Sequence, residues 1–273
     1  AVSDYENAPT LPSSRPEAEK LAKALKTWYG FKDVQTLVDK DATRANILDR
    51  WRVITKTLTD QDALFVSFFG HGFHDALFET DYWIPFGARR SVEGEPATAD
   101  WIADRDLLST LTACKARHVV IVSDSCFLQY QFSADGSAEA AGQYSTEGYK
   151  RAIAETSRGG LARREANDAR VPPDQAVFTR AIVRSFEAPK KKVFCTSDVA
   201  AWITANVARP AGPLPGSGSA RECAIAGGEF VFLCAGDHPL VPKAGTLVVN
   251  SPAGGSMAID DEPAGRIEAG EDM

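Results

Sequence analysis

ALFVSFFGHGFH, residues 63–74, is an apolar run that stops abruptly at a glycine–histidine–glycine turn. A short continuous run rich in aromatic and β-branched residues, closed by glycine, predicts a buried strand. HVVIVSDSCF at 118–127 has the same form and runs straight into Asp-Ser-Cys. Strands without polar alternation are buried on both faces, as in parallel sheets covered by helices.

Helical patterns surround these two runs. Pro16 opens a helix whose Ala18, Leu21, Ala22, Leu25 and Trp28 recur at spacings of three and four, with Gly30 after it. A strand-like run is expected at Val34–Val38. A second helix is expected from Asp41 or Thr43, carrying Ile47, Leu48, Trp51, Ile54 and Leu58. WIPF at 83–86 reads as a hairpin strand, and Asp104 caps a helix with Leu107, Leu108 and Leu111. Further on, a helix is expected at about 174–187, a strand at Val193–Thr196, a helix capped by Ser197 and a last strand at 228–234. Strands alternating with helices predict an α/β fold with a mostly parallel sheet, and such sheets place their sites at the carboxyl ends of the strands.

Two stretches read as irregular. Residues 133–173 are polar, rich in Gly and Ala, and carry Lys150, Arg151, Arg158, Arg163, Arg164 and Arg170. This predicts a long loop, and loops of that length are usually functional or disordered. PAGPLPGSGSA at 210–220 reads as mobile. From about 239 the character shifts again, and the short alternating runs of 245–265 predict the start of a small β appendage in a segment 239–273. The expected organisation is therefore one domain over 1–238 followed by that appendage.

Composition narrows the function. The 273 residues are 44% hydrophobic and 25% charged, which excludes a disordered or collagen-like chain. No apolar run approaches the ~18 residues of a membrane span. Thirty Lys and Arg against 37 Asp and Glu give a net charge of −7, which is no footprint for nucleic acid. Five cysteines without a C-x-x-C pair argue against a zinc knuckle or a thioredoxin-type site. Reduced thiols suit a reducing compartment, the cytoplasm, and the opening AVSDYENAPTLPSS has no signal-peptide pattern.

His71 and Cys126 follow the two most apolar strands and can converge across adjacent strand ends. A thiol becomes a useful nucleophile when an imidazole takes its proton. Gly72 leaves room for a substrate carbonyl, and its N–H together with that of Cys126 would suit an oxyanion hole. A cysteine at a strand end is more often inert core, but here two reactive types sit at matching positions. His74 and Asp75 extend an H-x-x-H-D string, yet only four histidines occur in the chain and no second ligand cluster accompanies it. No phosphate-binding glycine motif or serine-hydrolase elbow is written.

In ordered series, DYENAPTLP, the Gly30–Ile47 block, FFGHG, YWIP, VIVSDSCF, FTRAIV and GEFVF resemble a caspase-fold cysteine peptidase of the bacterial caspase-like or metacaspase type, over residues 2 to about 234. The resemblance implies a caspase-like three-layer sandwich whose first strand should precede Tyr5 and is almost wholly absent from the sequence. It also implies peptide-bond hydrolysis by a His71–Cys126 dyad. The 55-residue gap agrees with the ~50 of the caspase signature, whereas DSC at 124–126 is the metacaspase form and Phe127–Gln131 departs from both. By resemblance, Asp124 lines the primary pocket with Glu17 as a second acidic wall. An Arg or Lys side chain would then be received by charge-assisted hydrogen bonds. A free carboxylate there also disfavours the Cys126 thiolate until a basic side chain neutralises it.

The same resemblance implies self-cleavage in the basic 150–170 loop and a reaction that needs no cofactor. Calcium activates some relatives, and Asp135 and Glu147 could contribute, although nothing stands at metal-ligand spacing. The partners expected are peptides or proteins with Arg or Lys at the cleavage site, and the tail resembles the opening of a PEGA repeat. Two rivals stand beside this reading. One is a catalytically weak caspase-fold scaffold, its pocket blocked by FLQYQ; the other is a nucleotide-binding α/β domain with GHG at phosphate.

Overall fold

The computed structural model describes residues 1–111, 113–125, 132–133, 157–162, 177–189, 192–206, 216–220, 230–234, 255–259 and 262–267. In chain order the elements are α1 (Ser14–Trp28), α2 (Arg44–Thr57), β1 (Ala63–Phe69), β2 (Gly72–Asp75), β3 (Thr80–Trp83), β4 (Ser91–Val92), β5 (Glu95–Pro96), β6 (Ile102–Ala103), α3 (Asp104–Leu111) and β7 (His118–Asp124). There follow β8 (Phe132–Ser133), β9 (Ser157–Ala162), α4 (Val177–Glu187), β10 (Val193–Cys195), α5 (Thr196–Asn206), β11 (Gly216–Ala220), β12 (Val231–Leu233), β13 (Gly255–Ile259) and β14 (Glu262–Ile267).

The two apolar runs pair side by side. β1 lies parallel to β7 with Phe69 opposite Asp124, and β7 lies parallel to β9. The sheet continues in the order β1-β7-β9-β11-β8 with β11 antiparallel to both neighbours, so the architecture is mixed α/β. Alternate residues of β7 face opposite layers. Val120 and Val122 pack with Leu21 and Leu25 of α1, Ile182 and Phe186 of α4 and Ile203 of α5. Val119 and Ile121 pack with Trp51 of α2 and Leu107, Leu108 and Leu111 of α3. Helices thus cover both faces, which explains why Val119–Val122 of β7 are apolar without alternation. Each such buried Val or Ile contributes about 1.5–3 kcal/mol.

Local chemistry accounts for the helices. In α1 the buried Leu21, Ala24 and Leu25 form the three-and-four stripe, and Gly30 leaves the helix at φ 68°. The Thr43 hydroxyl accepts the Asn46 N–H and caps α2. Trp51 is the one buried residue of α2, and its indole N–H donates to Thr110 Oγ1 at 2.6 Å, tying α2 to α3.

Several expectations need correction. Among the described residues Val34–Val38 is extended but forms no strand; at its end the Ala1 nitrogen donates to Leu37 O and the Ala1 carbonyl accepts the Asp39 N–H. The hairpin strand is Thr80–Trp83 rather than 83–86. Ile84 turns away to donate to His71 O and Phe86 to Ala42 O. Within the expected loop 133–173, residues 157–162 form β9 beside β7, and Gly216–Ala220 of the stretch expected to be mobile form β11. SRGGLA and GSGSA carry too few apolar side chains to show any period, so no sequence pattern marks these strands. Of the basic residues of that loop, all but Arg158 lie outside the described residues. In the tail, β13 and β14 make an antiparallel hairpin with an irregularity between Met257 and Ala258.

Candidate active site

The turn that carries His71 is held from three directions. Gly70 donates to Asp124 O at 3.2 Å, closing the end of the β1–β7 ladder. A methyl group on Gly70 would collide with the Tyr5 hydroxyl and the Phe68 ring, so only glycine lets the N-terminal segment approach. The Tyr5 hydroxyl accepts the His71 N–H at 2.8 Å and donates to Ile84 O at 2.9 Å. The Tyr5 ring lies 4.7 Å from the imidazole.

His71 Nε2 stands 2.8 Å from Pro9 O. A carbonyl can only accept, so this contact assigns the ring proton to Nε2 and leaves Nδ1 with its lone pair in the neutral ring. Burial draws the His71 pKa below its ordinary value; the Pro9 carbonyl opposes this, and the Arg90 charge adds to the lowering. Near neutrality the imidazole is an uncharged base with one fixed proton.

The segment carrying Pro9 is itself anchored. Asp39 Oδ1 accepts the N–H groups of Ser3 and Asp4 at 2.7 and 3.1 Å, and Oδ2 accepts from Arg15 at 3.2 Å. Burial would raise the Asp39 pKa, but the Ser3 and Asp4 bonds and the Arg15 charge prevail and hold it below the usual carboxylate value.

Gly72 meets the other strand end. A Cβ at Gly72 would overlap the backbone carbonyl of Ser125, so the residue after His71 and the residue before Cys126 are in direct contact. Ser125 is fixed by a buried chain: Trp83 Nε1 donates to Ser123 Oγ at 3.1 Å, and Ser123 Oγ lies 2.6 Å from Ser125 Oγ. Trp83 stacks on Phe68 with ring centroids 4.5 Å apart. Cys126 lies outside the described residues, as do Phe127–Gln131, Asp135 and Glu147. Of the expected oxyanion pair, Gly72 opens β2 opposite Trp83.

The two acidic residues expected in the pocket are both engaged. Asp124 is buried, and its Oδ2 accepts the Thr179 N–H at 3.2 Å and the Thr179 hydroxyl, capping the first turn of α4 from across the sheet. Glu17 is buried in the first turn of α1 and accepts from Lys20 Nζ at 2.8 Å. α1 and α4 meet here, with Arg180 donating to Ser13 Oγ at 3.0 Å. The carboxylates thus belong to the same region but answer to different partners.

His74, the other histidine of the motif, pairs across the hairpin with buried Asp81 at 2.8 Å. Among the described residues no group of three or more His, Cys, Asp or Glu side chains could hold a metal ion, and no helix is long and apolar enough to cross a membrane. Tyr5, Pro9, Trp83 and Thr179 complete the site without having been marked individually by sequence. A backbone carbonyl has no side-chain signature, and Thr179 declares its role only when α4 is placed.

No protein-family model matches the chain, and no curated protein matches it. Among solved structures it is similar to protein GSU0716 from Geobacter sulfurreducens, a structural-genomics target, with a TM-score of 0.48 and 19% sequence identity over 80% of this chain and 90% of that one.

Proposed function

We propose that the chain is a cysteine endopeptidase with a caspase-like sandwich, cleaving after Arg or Lys with Cys126 as nucleophile and His71 as base. The observation that supports this most is the contact of Gly72 with Ser125, which leaves one residue on either side of it to bring an imidazole and a thiol together. The tautomer suits a general base. Nε2–H is committed to Pro9, so Nδ1 is the atom that accepts the thiol proton. Sulfur then bonds the scissile carbonyl carbon, and the carbonyl π electrons move to oxygen, where Gly72 and Cys126 N–H groups stabilise them. On collapse the C–N bond breaks, and the imidazolium returns its proton to the leaving amine. Water, deprotonated by His71, hydrolyses the thioester and restores the thiol. Cleavage within residues 150–170 by the same centre belongs to this reading.

A second reading has its own support. Asp124 caps α4 and Glu17 is paired with Lys20, so neither carboxylate stands open for a substrate side chain. On that reading the chain is a catalytically weak caspase-fold scaffold.

A peptidyl-arginyl chloromethyl ketone separates the two. Mass mapping is expected to find the label on Cys126, with labelling abolished in Cys126→Ala and slowed at least about 100-fold in His71→Ala. Fluorogenic peptides ending in Arg, assayed with calcium and a reductant, are expected to be cleaved. A label on another residue, or an untouched Cys126 with no cleavage, would favour the scaffold. Intact masses of wild type and Cys126→Ala test self-processing, which requires fragments from the wild type alone.

A further inference from the structure

Trp101 gathers three arginines around one carboxylate. Arg44 Nε donates to the Trp101 carbonyl at 2.8 Å, and the Trp101 indole N–H donates to Arg89 O at 2.7 Å. Arg89 clamps Asp100 with Nε at 2.6 Å and Nη2 at 3.1 Å, a forked pair. The hydrogen bonds from Arg89, then its charge and that of Arg44, hold the Asp100 carboxyl below its ordinary value. Asp100 is therefore ionised and already engaged.

Arg90 is the third arginine. It is exposed, and among the described residues its guanidinium makes no ion pair. Its backbone is nevertheless fixed. The carbonyl before it is taken by Trp101, and its own carbonyl accepts the Ala97 N–H at 3.2 Å. The β4–β5 hairpin then turns at Glu93 and Gly94, with φ 53° and 89°. Glu6 stands over Gly87, its Oε2 3.8 Å from where a Cβ would lie, without an ion pair to Arg90. A guanidinium held on an ordered backbone with its donors open suits a carboxylate brought by another chain.

The loop that carries Arg90 departs from the histidine turn. Ile84 N–H donates to His71 O at 2.9 Å. Asn7 Nδ2 donates to Gly87 O at 3.2 Å and to Ala88 O at 3.4 Å, two residues before Pro9, whose carbonyl stands at His71 Nε2. After burial, and against the Pro9 carbonyl, the Arg90 charge lowers the His71 pKa, so guanidinium and imidazole feel each other. In the proposed reaction Nδ1 faces the thiol, which puts Pro9, Asn7 and the loop they hold on the other flank of the ring. The imidazolium gives its proton to the leaving amine, so the chain after the scissile bond passes the ring as it leaves. Extended chain advances about 3.3 Å per residue, and three residues cover about 10 Å.

Resting on the peptidase reading, we propose that Arg90 is a specificity-determining residue that receives the carboxylate of an Asp or Glu within three residues after the scissile bond. The substrate class is then a basic residue followed closely by an acidic one. The chain carries a net charge of −7 and would repel an acidic peptide as a whole. Attraction has to come from the local patch of Arg44, Arg89 and Arg90.

Quenched fluorescent peptides test this on the full chain, with Arg at the cleaved bond and Glu, Gln or Lys at each of the next three positions in turn. At one position or more, kcat/KM for Glu should exceed that for Gln about three-fold, and Lys should fall below Gln. High salt should close the difference, because the pair is exposed. Arg90→Glu should reverse the order, and Arg52→Gln, which removes an equal charge from α2, should keep it. Equal rates for the three peptides at every position overturn the proposal and leave the peptidase reading intact, as does an order that Arg90→Glu does not change. Cleavage of no peptide overturns the peptidase reading and this inference with it.

Discussion

Ser125 presses its backbone carbonyl against Gly72 so closely that no side chain fits between them. The contact follows from the sheet. β1 and β7 are parallel neighbours with Phe69 opposite Asp124, so the residues just beyond each strand emerge together at one rim. Gly70 tightens the rim by donating to Asp124 O. A site that needs an imidazole from one strand end and a thiol from the next requires such a crossing, and glycine is the only residue that permits it.

Gly72→Ala is therefore expected to separate the strand ends. The obstacle is backbone rather than a flexible side chain, so relief demands a shift of β2 or of the β7 terminus. Chemical denaturation should register a loss of about 1–3 kcal/mol, and the alkylation rate of Cys126 should fall with peptidase activity. Gly30→Ala, strained at φ 68° but remote from the rim, provides the comparison: about 1 kcal/mol of stability with unchanged alkylation.

Tyr5→Phe removes one hydroxyl that accepts from His71 N–H and donates to Ile84 O. Leaving the His71 N–H and the Ile84 carbonyl unpartnered by that oxygen is expected to cost about 1–3 kcal/mol. In the proposed reaction Tyr5 would position His71, so kcat should fall about ten-fold with KM nearly constant. The ring resonances of His71 should shift with it, which a purely structural loss elsewhere would not produce.

The strand ends were legible in sequence because an apolar run stopped by glycine is a strong local signal, and His71, Gly72 and Cys126 stand right at those stops. Asp124 was legible as a carboxylate at the rim but not as a cap, because Thr179 reaches it only after α4 folds back across the sheet. Pro9 was invisible for a different reason: its contribution is a carbonyl, which every residue owns. β9 and β11 were missed because SRGGLA and GSGSA hold too few apolar side chains to reveal a period, and their neighbours in the sheet are far away in sequence.

The lowered pKa of His71 makes a pH prediction whose sign is fixed. The unfolded imidazole titrates near about 6.5, and burial puts the folded value lower. Between the two values the unfolded chain binds the extra proton, so stability is full above the ordinary imidazole value and declines as pH falls below it, levelling beneath the folded value. His71→Gln should flatten that part of the stability profile. Activity should follow the same group, with the acid limb of kcat/KM lying below about 6.5 in the wild type.

Asp124 and Thr179 can be taken apart by a double-mutant cycle. If the carboxylate serves α4, Asp124→Asn and Thr179→Val each destabilise by about 1–2 kcal/mol, and the double variant loses little more than either alone, because both remove the same hydroxyl–carboxylate bond. If the carboxylate also receives a basic substrate side chain, Asp124→Asn raises KM for peptides ending in Arg far more than for neutral ones, while Thr179→Val, which removes the hydroxyl donor but keeps the backbone N–H on the carboxylate, leaves KM unchanged or lowers it. The folded fraction must be matched by working well below the Tm of each variant, so that lost cap energy is not read as lost affinity. Equal KM changes in both single variants would assign Asp124 to the architecture of α4 and move the search for the specificity pocket to other residues along the α1–α4 seam, where Ser13 already meets Arg180.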